Sequence, residues 1–217
     1  MDVYIISYKI EGKWNSMLKK SKKRFKELGY NVFLVEGYNL KQNPGIKPNQ
    51  VCYLNLLDKV IPLIKNKIKK GFLLAEDDAY LQDILTPKYL LYRLKKNNYL
   101  NNIIRIGYQK NLKQKPPYYP NGNYLVGTQL LWFPKNQMKK LEFELNKSKA
   151  QHLNGFLSKN LNLDIKILDE KKQKKKKYVL ELEHISTTTG KTRKGLKLNV
   201  KNISKKTKKL NVKKLKK

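Results

Sequence analysis

Short apolar runs alternate along the chain with segments whose apolar residues recur every three or four positions, as on one face of a helix. The apolar runs predict strands at 3–8, 32–36, 72–75, 103–107, 124–133, 164–168 and 178–184. The helical spacing predicts helices at 14–28, 51–68, 87–96, 135–146 and 150–160. We expect Thr86 to cap the third of these helices and Pro62 to kink or split the second.

The order of these elements, strand then helix repeated along the chain, predicts an α/β fold with a mainly parallel, Rossmann-like sheet flanked by helices. Ligands of such folds bind where the carboxyl ends of the strands meet. The predicted strand ends place Ser7–Tyr8, Glu36, Glu76–Asp78 and Gly107–Tyr108 at that edge. We expect one domain at 1–190 and a lysine-rich tail at 191–217. The tail is predicted to be disordered or to form a transient basic helix, because its apolar residues are isolated and its net charge is high.

Three consecutive acids, Glu76, Asp77 and Asp78, follow the apolar run GFLLA. Strand alternation predicts that Glu76 and Asp78 point one way and Asp77 the other. Adjacent carboxylates repel one another and are costly to bury without compensation, which a hard divalent cation such as Mg²⁺ or Mn²⁺ provides. The plain alternative is a solvated turn after a strand, where acids are common.

The chain carries a formal net charge of +33, from 49 Lys and Arg against 16 Asp and Glu. Residues 171–217 alone hold 19 basic and two acidic residues. Such a surplus favours contact with polyanions through the lysine-rich tail, whether nucleic acid, anionic membrane or phosphorylated ligand. A composition rich in Lys, Asn and Ile, as AT-rich coding DNA produces, explains the surplus equally well.

Cellular location is predicted from three absences in the sequence. The single cysteine, Cys52, allows no intrachain disulfide, and no apolar run approaches the ~18 residues of a transmembrane helix. The N-terminus MDVYIISYKIEGKW lacks the basic region and apolar stretch of a signal peptide. These features predict a cytoplasmic protein.

The segment LLAEDDAYL resembles the D-x-D-type element of nucleotide-sugar glycosyltransferases with the GT-A fold. VCYLNLLDKVIPLI, NIIRIGY and NYLVGTQLLWFPK resemble three further segments of that family in the same order, so that the resemblance covers about residues 3–185. It is nearest to the lipopolysaccharide-core and collagen-galactosyltransferase type and to small glycosyltransferases of large DNA viruses, for which the location is the host cytoplasm. The resemblance implies a hexosyl- or pentosyltransferase with a UDP-sugar donor and a glycan or glycoprotein acceptor.

The resemblance also implies roles for individual residues. In the family a Mn²⁺ or Mg²⁺ ion bridges the phosphates of the donor, which makes Asp78 the expected metal ligand, with Glu76 in support and His184 completing the site. Glu stands here where the family often has Asp. The residues expected to contact the donor are Ser7, Tyr8, Glu36, Asn55, Glu76, Asp77, Ser186, Thr187 and Lys191.

His152 is the candidate general base, since the pKa of imidazole suits proton transfer near neutrality. A histidine on a helix surface is the alternative interpretation. Two other functions remain open: a basic nucleic-acid-binding protein, which leaves the acids unexplained, and a metal-dependent nuclease or nucleotidyltransferase, which needs more converging acids or histidines.

Overall fold

The computed structural model describes residues 1–65, 67–106, 129–149, 151–160, 162–168, 179–181, 184–185 and 192–193. The strands are β1 (Asp2–Ser7), β2 (Lys9–Ile10), β3 (Lys13–Trp14), β4 (Asn31–Glu36), β5 (Gly71–Glu76), β6 (Ala79–Leu81), β7 (Ile103–Ile106), β8 (Leu130–Pro134), β9 (Ile165–Leu168), β10 (Val179–Glu181), β11 (His184–Ile185) and β12 (Thr192–Arg193). The α-helices are α1 (Ser16–Glu27), α2 (Val51–Leu54), α3 (Ile61–Ile64), α4 (Pro87–Lys96), α5 (Met138–Lys147) and α6 (Leu153–Lys159).

A six-stranded sheet in the order β4-β1-β5-β8-β7-β9 forms the centre of the fold. β1 pairs in parallel with β4 and β5, and β7 pairs in parallel with β9. Only β8 runs the other way, antiparallel to both β5 and β7. The predicted α/β fold with a mainly parallel sheet flanked by helices is therefore confirmed, and five strands of this sheet end at the same edge.

Helices cover both faces of the sheet, because consecutive side chains of each buried strand point to opposite faces. On one face, Val3 and Ile5 of β1 pack with Leu18 of α1 and Leu90 of α4. On the other face, α2, α3, α5 and α6 cover an apolar layer that includes Phe72 of β5. The result is two separate cores on either side of one sheet.

The predicted helix over 51–68 is a helix of three parts, with a π-helical segment at Asn55–Val60 between α2 and α3. Pro62 lies in the first turn of α3, directly after the π segment. A proline ring clashes with the carbonyl four residues before it and leaves that carbonyl without its donor, and a π turn accommodates both effects. The helix therefore continues through Pro62 without a break, and its irregular π segment comes directly before the α3 turn that holds the proline.

β2, β3 and β6 are short strands at positions where the sequence pattern predicts no strand. The first predicted helix begins at Ser16 rather than at residue 14, because Lys13–Trp14 pairs with Lys9–Ile10 in a hairpin. β6 was not predicted, since three residues are too few for a clear alternating pattern. Thr86 caps α4, as predicted, by accepting a hydrogen bond from the Tyr89 amide at 3.3 Å.

Several predictions fall on residues that the structure does not describe. They are the strand end at Gly107–Tyr108, the first part of the strand at 124–133 and most of the tail at 191–217. In the described part of the chain, no helix is long and apolar enough to cross a membrane.

Gly71 provides a test of the packing between β5 and β8. A Cβ atom at this position would lie 2.6 Å from the Phe133 carbonyl oxygen and 2.7 Å from the Trp132 ring. We expect Gly71→Ala to lower the free energy of unfolding by about 1–3 kcal/mol, the usual cost of overpacking, as measured by urea denaturation. Gly45→Ala, where a Cβ meets nothing within 4 Å, is the matched control. Equal stability of the two variants would contradict the strand packing described here.

Candidate functional site

The three acids lie at the turn that ends β5. β5 ends at Glu76. Asp77 and Asp78 form the turn that follows, and the chain then continues as β6, which pairs with β10. The predicted alternation of the three side chains therefore does not extend beyond Glu76, because alternation requires an extended strand. Asp78 is buried at 4% exposure, while Glu76 and Asp77 are partly exposed.

Asp77 is held in place by the end of β1. The Ser7 hydroxyl donates to Asp77 Oδ2 at 2.7 Å, and the Asn15 side-chain amide donates to the same oxygen. Asn15 Nδ2 also lies 3.3 Å from Ser7 Oγ, so the three side chains form one hydrogen-bonded group. A carboxylate that accepts two hydrogen bonds is favoured in its charged form.

Asn15 joins this group to helix α1. It is the N-cap residue of α1, and its Oδ1 accepts a hydrogen bond from the Leu18 amide at 2.9 Å. One side chain thus satisfies an orphan amide of the helix with its oxygen and fixes Asp77 with its nitrogen. The N-terminus of α1 carries partial positive charge, which favours a carboxylate at this end of the helix.

Cys52 of α2 lies against the other side of the acidic turn. Its Sγ is 3.8 Å from Glu76 Oε1. Burial first, and then the negative charges of Glu76, Asp78 and Asp77, raise the pKa of the Cys52 thiol well above its ordinary value. All three carboxylates of the turn therefore lie near enough to Cys52 to affect its thiol.

Tyr8 and Glu36 lie at neighbouring strand ends, as predicted. Burial, with a smaller contribution from the charge of Asp77, raises the pKa of the Tyr8 phenol. Glu36, the last residue of β4, forms an ion pair with Lys9 at 2.7 Å. The register pairs Ser7 with Glu36 and Ile6 with Glu76, so the ends of β4, β1 and β5 are level.

Asn55 supports the loop that follows β4. It is buried at 3% exposure, and its Oδ1 accepts a hydrogen bond from the Tyr38 amide at 2.8 Å. The loop passes so close that a Cβ on Gly37 would lie 2.7 Å from Asn55 Nδ2 and 2.8 Å from Ile6 Cγ2. Asn55 therefore has a structural contact at this edge, and its predicted contact with a donor stays a prediction.

His152 is the N-cap of α6, where its Nδ1 accepts a hydrogen bond from the Asn154 amide at 3.3 Å. A nitrogen that accepts this bond is less available to take a proton, so base catalysis by His152 competes with capping. The role of His152 stays a prediction.

The second predicted half of the site lies largely outside the described residues. His184 belongs to the short strand β11, which pairs with β12, and its side chain is not described. Ser186, Thr187 and Lys191 also fall outside the described ranges. Across the positions that are described, no group of three or more His, Cys, Asp or Glu side chains is arranged so that it could hold a metal ion.

Sequence reasoning did not single out Asn15 or Cys52 as members of this site. Asn15 carried a usable signal, because asparagine directly before a helical pattern is a common N-cap and the helix starts near the end of β1. Cys52 carried none, since its approach to Glu76 depends on how α2 packs against the sheet.

Comparison with solved structures gives weak similarity of fold. No protein-family model and no curated protein matches the chain. A solved structure with a related arrangement is that of a glycosyltransferase involved in the glycosylation of the major capsid of PBCV-1, at a TM-score of 0.42 and 13% identity. The match covers 67% of this chain and 66% of that one, so the chain spans about two thirds of its length. This is a likeness of fold and assigns no activity.

Replacement of Asn15 tests the link between α1 and the acidic turn. Asn15→Asp keeps a good N-cap but places a second carboxylate against Asp77. We expect it to lower the free energy of unfolding by about 1–3 kcal/mol at neutral pH, because the negative carboxylates at positions 15 and 77 then repel each other. This repulsion raises the pKa of one of the two carboxyls in the folded variant. The loss of unfolding free energy should therefore become smaller as the pH falls through that raised pKa, because the carboxyl then becomes neutral.

Asn15→Ser is the matched control, since it keeps the cap and adds no charge. Its stability should depend on pH as that of the unmodified protein does, as measured by urea denaturation between acid and neutral pH. A pH dependence that is identical in Asn15→Asp and Asn15→Ser would show that residue 15 does not contact Asp77.

Proposed function

We propose that the chain is a glycosyltransferase that takes a sugar from a nucleoside diphosphate donor, with UDP-sugars as the first class to test. The acceptor class is a glycan or glycoprotein, as the sequence resemblance implies. One observation carries the proposal: a turn of three acids, one of them fixed by Ser7 and Asn15, stands at the carboxyl edge of the parallel strands. That edge is where α/β sheets of this kind bind their ligands.

The donor set of the turn fits a hard divalent cation. Carboxylate oxygens are the ligands that Mg²⁺ and Mn²⁺ prefer, and Mg²⁺ is usually held by one or two carboxylates together with substrate phosphates. After burial, the charges of Glu76, Asp78 and Asp77 contribute to the raised pKa of Cys52, and a cation would compensate the charge of these carboxylates. Asp78 and Glu76 are the residues that would hold the ion, with His184 as the predicted third ligand.

Side chains at this edge have two proposed roles, which are to position the acidic turn and to attract an anionic donor. Ser7 and Asn15 hold Asp77, so the backbone of the turn is fixed relative to β1. Lys9, although paired with Glu36, places a cation at the end of β4 and β1, where an anionic donor would enter. A divalent cation held by Asp78 and Glu76 would supply the positive charge that stabilises a leaving diphosphate.

Thermal unfolding with nucleotides tests the proposal directly. We expect UDP and Mn²⁺ together, at about a hundredfold excess over their dissociation constants, to raise the melting temperature by about 5–10 °C. Either one alone should have a much smaller effect, because the cation and the diphosphate bind as a pair. Asp78→Asn should abolish the joint effect, since it removes the charge and keeps the shape of the side chain.

Asp164→Asn is the matched control. Asp164 is exposed and lies just before β9, at the amino end of the outermost strand and away from the acidic turn. This variant should keep the full joint effect of UDP and Mn²⁺. If Asp78→Asn does not fold, Glu76→Gln takes its place. The proposal fails if no nucleoside diphosphate stabilises the protein with either Mn²⁺ or Mg²⁺, or if Asp78→Asn and Glu76→Gln respond as fully as the unmodified chain.

A further inference from the structure

The two helical layers of the fold differ sharply in charge. Helices α1 and α4, which cover the same face of the sheet, carry ten basic residues and one acid in 22 positions. The opposite layer, made of α2, the π segment, α3, α5 and α6, carries five basic residues and three acids in 31 positions. The formal net charge is therefore +9 on the first layer and +2 on the opposite layer, so the basic surplus is unevenly distributed between them.

The basic side chains of this layer form outward stripes on both helices. In α1 the exposed lysines are Lys19, Lys20, Lys23 and Lys26, while Leu18 and Phe25 face the sheet. In α4 the exposed positions recur at helical spacing. They are Lys88, Tyr92, Lys95 and Lys96. We call the outer surface of α1 and α4, defined by these eight exposed residues, the basic face.

The two arginines of these helices bond to the protein. Arg24 Nε donates to the Leu81 carbonyl at 2.7 Å, and its guanidinium also pairs with Asp83. Arg93 donates to the Tyr89 hydroxyl at 3.0 Å. The exposed cations are therefore lysines, which act as point charges and do not supply the bidentate geometry that arginine uses to read phosphates and bases.

Tyr92 is the one large aromatic residue strongly exposed on the basic face among the residues described, at 54% exposure. Lys96 Nζ lies 5.9 Å from the centre of its ring. A tyrosine ring beside lysines suits the headgroup level of a bilayer, where such amphipathic rings are enriched. Single-stranded nucleic acid, in contrast, is held by successive aromatic platforms along a basic groove, and one tyrosine does not form such a row.

We propose that the basic face docks the protein on an anionic lipid bilayer. Each exposed lysine near an anionic membrane surface adds a favourable contribution, and the α1 and α4 lysines present these charges from one layer. The proposal does not depend on the acidic turn. It assigns a membrane surface to the outward-facing side chains of α1 and α4, which the proposed sugar transfer does not use.

Vesicle sedimentation of the full chain tests the proposal. The protein is mixed with phosphatidylcholine vesicles that contain about 30% phosphatidylserine, and in parallel with pure phosphatidylcholine vesicles, at physiological ionic strength. We expect binding to the anionic vesicles only. Replacing Lys19, Lys20, Lys23 and Lys26 together with Gln should weaken that binding at least about tenfold, given the contribution of each lysine near the surface.

A variant of the opposite layer is the matched control. Lys139, Lys140 and Lys147 of α5 and Lys159 of α6, all exposed, are likewise replaced with Gln, so that both variants lose the same net charge. Both also keep the lysine-rich segment 194–217, so any contribution from that segment is common to them. The control should lose less than about threefold in vesicle binding, because its lysines face away from the membrane.

The outcomes separate the alternatives. A tenfold loss confined to the α1 variant supports the proposal. Equal losses of vesicle binding in both variants would mean that net charge alone drives binding. No loss in either variant would mean that another part of the chain contacts the vesicle. Either result overturns the proposal. The proposal is also wrong if the α1 variant keeps its vesicle binding but loses salt-sensitive binding to single-stranded or duplex DNA.

Discussion

The parallel register of β1 with its two neighbours is the constraint on which the candidate site depends. It pairs Ser7 with Glu36 and Ile6 with Glu76, so three strands end level at one edge. The turn after β5 then falls within hydrogen-bonding distance of Ser7. A shift of one residue in this pairing would turn the Ser7 side chain to the opposite face and break that contact. The register therefore fixes both the core and the acidic edge.

Helix α1 connects the two electrostatic features of the molecule. At its start, Asn15 caps the helix and donates to Asp77 of the acidic turn. Along its outer side, it carries the exposed lysines of the basic face. Burial and three carboxylates raise the pKa of Cys52 at one end of the sheet, while cations accumulate on one helical layer. The large net charge is thus unevenly distributed, which suits separate roles for the edge and the face.

The sequence predicted the sheet, most helices and the acidic edge, because these follow from apolar spacing that a chain must satisfy to bury its strands. The predicted alternation of the three acids required an extended strand, but the strand stops at Glu76 and the next two residues turn. The contact between Cys52 and Glu76 depends on how α2 packs, which no local pattern encodes. The hydrogen bond from Asn15 to Asp77 joins residues 62 positions apart and appears only after folding.

Release of nucleoside diphosphate from a panel of nucleotide sugars tests the central claim most directly. With Mn²⁺ or Mg²⁺ present, the account predicts steady release of the diphosphate from at least one donor, with UDP-sugars tested first. The release should depend on the divalent cation and increase when a suitable glycan acceptor is added. No release from any donor above the rate without enzyme, with or without acceptors, would contradict the claim that the acidic edge transfers sugars.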